Sequence, residues 1–161
     1  MAFAEGDTEA IAIHSRLLED SRLGLVTGDF ERFLSCFHLP NIISTWEGAT
    51  VFETPADMRR VFDGMLAHLT AMKVTRYERS CISAHFIGRD KIEAIHESRF
   101  YDKDGFVAVP STAHSIVERI DGRWLLTNGR YEVAGKPILQ HSFGSGRPLT
   151  AEEAAKFGLG D

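Results

Sequence analysis

Residues 74–133, VTRYERSCISAHFIGRDKIEAIHESRFYDKDGFVAVPSTAHSIVERIDGRWLLTNGRYEV, decide the fold. Apolar side chains recur here with a period of two, the spacing of a strand with one face buried. Turn-forming clusters at 88–90 (GRD), 102–105 (DKDG) and 121–122 (DG) cut the stretch into four long strands. Hairpin-length connections predict that these strands run antiparallel.

Alternation also separates the two faces of that sheet. Pairing the first two long strands about Gly88 and Arg89 places Ile82, Ala84, Phe86, Ile92, Ala94, His96, Ser98 and Phe100 on one face. Tyr77, Arg79, Cys81, Ser83, His85, Glu93, Ile95, Glu97, Arg99 and Tyr101 fall on the other. The first set is mostly apolar and is expected to meet helices, whereas the second suits solvent or a polar subunit interface. In the last strand the inward set is either Trp124, Leu126, Asn128, Arg130 and Glu132 or Arg123, Leu125, Thr127, Gly129 and Tyr131. The bulk of Trp124 and Leu126 favours the former. The strand between offers inward either Ser111 and Ser115 or Thr112 and His114, its register being open.

Upstream, the period is helical. Ile11, His14, Leu17, Leu18, Ser21 and Leu25 share one face of a helix expected to end near Gly28. Asp29 is placed to cap a second, short helix with the aromatic stripe Phe30, Phe33, Leu34 and Phe37, closed by Pro40. A short hairpin over 42–53 follows. Thr54, Pro55 and Asp57 then form a strong helix start, with a capping hydroxyl, proline at the first helical position and an acid facing the helix dipole. Met58, Val61, Phe62, Met65, Leu66 and Leu69 continue that helix as one apolar face. Residues 1–133 thus read as one α+β domain, a curved antiparallel sheet with three helices on its concave face. Residues 134–161 read as a C-terminal extension, loop-like around Gly144, Gly146 and Pro148. A short helix starts at Thr150 with capping-box spacing to Glu153 and is expected to end at Gly158.

The bulk properties narrow the partners. A net charge of −5 without a basic run excludes the electrostatic footprint of a nucleic-acid or anionic-lipid binder. No apolar stretch reaches the length of a membrane span, and 1–10 carries no signal-peptide pattern. Cys36 and Cys81 have neither metal nor redox spacing and fit reduced thiols, so a cytoplasmic protein is expected. His14, His38 and His68 lie on or beside helices without metal-ligand spacing, and their expected place is the surface or a pocket mouth. The glycines at 144 and 146 open no phosphate-binding helix, so neither metal nor cofactor is expected.

What remains is a polar patch, His96, Ser98, Asn128 and Arg130, inside an otherwise apolar enclosure. His96 is the candidate catalytic residue, since an imidazole titrates near neutral pH. Its plainer reading is a core histidine bonded to Ser98, Ser111 or a backbone carbonyl. Arg130, Asn128 and Ser98 are candidate polar anchors for a substrate, and Trp46, Phe62, Met65 and Trp124 candidate apolar lining; each also reads as ordinary strand tie or core filler. The expected ligand is a small, largely apolar organic molecule carrying one carbonyl, hydroxyl or carboxylate.

The order of a long helix, GDFERFLSCF at 28–37, a strand pair, TPADMRRVF at 54–62, and strands ending DGRWLLTNGRYEV at 121–133 resembles the nuclear transport factor 2-like superfamily, in particular its SnoaL-like branch. The similarity covers 8–133. It implies a cone-shaped barrel with a pocket between sheet and helices, and a homodimer through the outer sheet face. Members include ketosteroid isomerases, polyketide cyclases, dehydratases, epoxide hydrolases and proteins that only bind, so an isomerase, dehydratase or cyclase activity is one implication and a non-catalytic interaction domain the other. Isomerase-like members carry a carboxylate base on the first short strand, where this chain has Ser44, Thr45 and Trp46.

Overall fold

The computed structural model describes residues 4–107 and 109–156. After a two-residue strand β1 (Glu5–Gly6), helix α1 (Thr8–Thr27) runs to Gly28, whose φ of 72° lies in the left-handed region that glycine enters freely. Asp29 then caps α2 (Phe30–Leu34), its carboxylate accepting the Arg32 N–H at 3.1 Å. This helix is shorter than its aromatic stripe predicts. Phe37 instead opens β2 (Phe37–Thr45), held beside the last long strand by the Leu126 N–H donating to the Cys36 carbonyl at 2.8 Å. β3 (Gly48–Phe52) completes the hairpin, and α3 (Pro55–Ala71) begins with the reciprocal capping box of Thr54 and Asp57.

The long strands follow as β4 (Arg76–Gly88), β5 (Lys91–Asp102), a short β6 (Gly105–Phe106), β7 (Ser111–Ile120) and β8 (Arg123–Tyr131). The sheet order is β1-β4-β5-β7-β8-β2-β3, continued by β9 (Arg147–Pro148) on β3. The long hairpins are antiparallel as expected, but the whole sheet is mixed. β1 lies parallel to β4 and β2 parallel to β8, and the sheet curves without closing into a barrel. The hydrophobic period reports a strand's buried face but not its distant neighbour, which is why these parallel pairings were not foreseen.

Two bulges overturn the assigned faces. β5 is regular, burying Ile92, Ala94, His96, Ser98 and Phe100 as expected. On β4, Cys81 pairs with His96 but Ser83 with Ile95, so Ile82 is an extra residue, 41% exposed. Tyr77, Arg79 and Cys81, read as outward, therefore share the inner face with Phe100, Ser98 and His96; beyond the bulge Ala84 and Phe86 stay inward. On β8, Val117 of β7 pairs with Leu126 and Ile116 with Asn128, so Thr127 is the extra residue. Trp124 and Leu126 face the core as expected. Asn128 and Arg130, read as inward, turn to the outer face, and Gly129 and Tyr131 take their places. The open register of β7 resolves with Ser111, Ala113, Ser115 and Val117 inward.

The extension packs back on the rest of the chain. A helix not foreseen in the sequence, α4 (Pro137–Phe143), sends Leu139 and Phe143 into the core and lies against α3. α5 (Ala151–Lys156) has the expected Thr150–Glu153 capping box, and Arg147 bridges Glu53 at 2.5 Å and Glu153 at 2.7 Å. Its expected end at Gly158 lies outside the described residues. The α3–α4 contact depends on Gly64, where a Cβ would stand 1.7 Å from Ser142 Oγ. Gly64→Ala gains about 1 kcal/mol of helix propensity, yet the overlap forces the helices apart. The net expectation is a loss of roughly 1–2 kcal/mol, visible as a melting temperature several degrees lower.

Candidate functional site

The core divides into two apolar clusters. Leu25, Phe33, Phe62, Tyr77, Phe100 and Phe143 mark one, and Ile13, Leu17, Ala84, Ile92, Ala94 and Val117 mark the other. Polar side chains sit at the junction on each element that crosses it. On α1 they are His14 and Ser21, two turns apart on the buried face; on β4 Arg79; on β5 His96 and Ser98. His14 and His96 are 0% and 2% exposed. The Arg79 guanidinium spans the group. One NH₂ donates to Ser21 Oγ at 2.5 Å, and Ser21 donates in turn to the Leu18 carbonyl. The other lies 3.1 Å from His96 Nε2.

That contact assigns a tautomer. Arginine can only donate, so His96 Nε2 accepts and its ring proton resides on Nδ1, which has no partner among the described residues. Arg79 Nε and both ring nitrogens of His14 are likewise buried without a partner. Burial first, then the Arg79 charge, holds both imidazoles in their neutral form, His14 pushed down to about 4 and His96 well below 6.5. The ring centroids of His14 and His96 are 5.9 Å apart, and Tyr131 closes the far side, 6.5 Å from His96. Ala113 pairs with both His96 and Tyr131, and its small side chain leaves the rings room to face each other. Gly129 has the same purpose one step along, since a Cβ there would lie 2.6 Å from the Tyr131 ring.

Beside this cluster is an inner chamber of about 50 Å³, lined by Arg79, His96, Ser98, Tyr131, Met65 and Phe100 among others. A separate apolar recess of about 20 Å³ lies between Phe33, Phe37, Met58, Val61 and the Tyr131 ring. Outside is a vestibule of about 940 Å³, mostly apolar, between the β2–β3 hairpin, the segment before β7 and the C-terminal extension. Ser111, Tyr131, Glu132 and Lys136 line both vestibule and chamber and so mark the neck where the two spaces adjoin. Burial lowers the pKa of the Lys136 ammonium and the nearby Glu132 charge opposes it.

The candidates named from sequence are dispersed. His96, Ser98 and Met65 line the chamber. Trp46 stands at the vestibule, 71% exposed, and Phe62 is buried in the aromatic core against Phe33, at 5.2 Å between ring centroids. Trp124 packs on Phe86 in the other cluster, away from the chamber lining. Arg130 and Asn128 line a shallow depression on the outer sheet face with His114 and Glu93, Arg130 also edging the vestibule. His14 and His68 are buried, not at the surface or a pocket mouth: His14 belongs to the polar cluster and His68 packs edge-on against Phe100. From sequence, His14 is expected at the surface or a pocket mouth, and Arg79, Ser21 and Tyr131 are not among the site candidates. A signal existed for two of them, because His14 and Ser21 interrupt the apolar stripe of α1 at a spacing of seven. Among the described residues no group of three His, Cys, Asp or Glu side chains is placed to hold a metal, and no helix is long and apolar enough to cross a membrane.

Helices packed on a curved, mixed sheet in this order give the chain the nuclear transport factor 2-like, cystatin-like fold, as its likeness to solved structures shows. A cystatin-like domain of unknown function from Nostoc punctiforme superposes with a TM-score of 0.62 at 17% identity, over 95% of this chain and 85% of that one. An NTF2-like protein from Shewanella oneidensis gives 0.55 at 11% identity, over 75% and 97%. A hexachlorocyclohexane dehydrochlorinase from Novosphingobium barchaimii gives 0.55 at 15%, over 74% and 83%. No protein-family model and no curated protein sequence matches the chain.

Proposed function

We propose that this protein binds a small, largely apolar organic molecule, its body in the vestibule and a single polar group in the inner chamber. The observation that carries this reading is the lining shared at the neck, where a space large enough for a ring system adjoins one that suits only a head group. At neutral pH His96 is uncharged, its Nε2 lone pair engaged by Arg79 and its Nδ1 proton unpartnered. The imidazole is thus suited to donate a hydrogen bond to a ligand oxygen. It is poorly placed to act as the general base expected of it from sequence, because its lone pair is already in use. Glu132, exposed at the neck, is the carboxylate nearest to such a role.

Thermal melting against a panel of aromatic and terpenoid carbonyl compounds, acids and alcohols tests the proposal. A ligand at one hundred times its dissociation constant adds about 2.7 kcal/mol of stability. His96→Gln, which keeps a donor, retains most of that gain, whereas His96→Leu loses it. A panel without any shift removes the binding reading. The outer sheet face, with Arg130, His114 and Glu93 exposed, supports a homodimer through that face as a second property. Sedimentation of wild type and of Arg130→Glu tests it, and a monomer at micromolar concentration ends it.

A further inference from the structure

Arg79 lies part-buried on the inner face of β4 with its Nε enclosed, and none of the ion pairs found among the described residues gives it a carboxylate partner. Burying part of a charge without a counter-ion carries a desolvation cost that an opposite charge beside it would offset. Its protein contacts are a hydroxyl and a neutral imidazole, which leave the Nε–H unpartnered. His96 adds a second unpartnered donor, Nδ1–H, so the groups without partners on this pair are donors and not acceptors. The remaining charged groups at the neck are one cation, Lys136, and one exposed anion, Glu132. The chamber of about 50 Å³ matches the size of a carboxylate, water taking about 30 Å³ each in the liquid.

We infer that the ligand is a monoanion, an organic acid whose carboxylate enters the inner chamber, pairs with Arg79 and accepts a hydrogen bond from His96, while its apolar body fills the vestibule. The inference rests on the binding reading above and names the class of molecule bound. The positive field of Arg79 is already felt by both neighbouring imidazoles, whose protonation it opposes. A carboxylate beside it relieves that field, and charge-assisted contacts of this kind are the stronger hydrogen bonds.

Calorimetric titration with phenylacetate and with its neutral isostere phenylacetamide tests the inference, on wild type, Arg79→Met and Arg79→Lys. Wild type is expected to bind the acid at least about tenfold more tightly than the amide. Arg79→Met abolishes that preference and Arg79→Lys keeps part of it. Should Arg79→Met fail to fold, nuclear magnetic resonance of the wild type serves in its place. The Nε–H signal of one slowly exchanging arginine is expected to shift with the acid and to stay in place with the amide. Equal binding of acid and amide, a preference that survives in Arg79→Met, or an unmoved Nε–H signal overturns the anion assignment and leaves the pocket reading intact. Binding of neither probe, together with a silent melting panel, overturns both.

Discussion

Between pH 6.5 and pH 4 the stability of the folded state is expected to fall by on the order of 3 kcal/mol through His14 alone. His14 is fully buried on α1, and burial followed by the Arg79 charge lowers it from 6.5 to about 4. The difference of about 2.5, at about 1.4 kcal/mol for each tenfold change in protonation, sets the size. The sign follows from which state takes the proton. The unfolded chain protonates His14 near 6.5 while the folded chain resists, so acid favours unfolding. The penalty is absent above about pH 6.5, grows as pH falls, and levels off below about 4. His96 acts in the same direction.

The groups facing His14 do not compete in this window. Tyr131 is pushed upward by burial, and the thiols of Cys36 and Cys81 are raised to about 11. Carboxylates held low by their partners, Asp57 by backbone donors and Glu153 by Arg147, release their contribution at lower pH. Urea unfolding at pH 7, 6, 5 and 4 measures the slope, and His14→Leu should flatten its share. Stability unchanged from pH 7 to 5 in the wild type would contradict the neutral, buried assignment of both histidines.

Phe33→Ala is expected to remove about 3–5 kcal/mol, the range for deleting a fully enclosed aromatic ring. Phe33 is 1% exposed on the short helix α2, with ring centroids 4.9 Å from Phe37 and 5.2 Å from Phe62. It also forms one wall of the apolar recess beside Arg79 and Tyr131. α2 has few other anchors, so the surroundings have little means to collapse into the space. Phe33→Leu keeps most of the volume and should lose roughly a third as much. A loss below about 1 kcal/mol for the alanine variant, in the midpoint of chemical unfolding, would show that α2 does not pin the aromatic cluster.

Periodicity made much of this fold legible before any coordinates. The period-two pattern of β5 placed His96 and Ser98 indoors, and no irregularity intervened. Thr54, Pro55 and Asp57 announced α3 because capping is a local transaction between a side chain and the backbone three residues away. The composition of the site was harder to read. One inserted residue in a strand reverses the face of every residue beyond it, and Ile82 and Thr127 each make such an insertion. The hints were the adjacent apolar pairs Cys81–Ile82 and Leu125–Leu126, where alternation loses its phase. Their effect was to exchange one guanidinium for another, Arg79 inside and Arg130 outside.

By itself, then, the chain determined its element order, the helix starts and the buried face of its regular strand, all of which depend on neighbours a few residues apart. Tertiary structure alone decided which of the polar side chains meet. The parallel docking of β2 on β8, the packing of α4 on α3, and the convergence of His14, Arg79, His96 and Tyr131 depend on contacts between distant segments. Such contacts form only where backbone pairing and side-chain volume agree, and a linear pattern does not record that agreement.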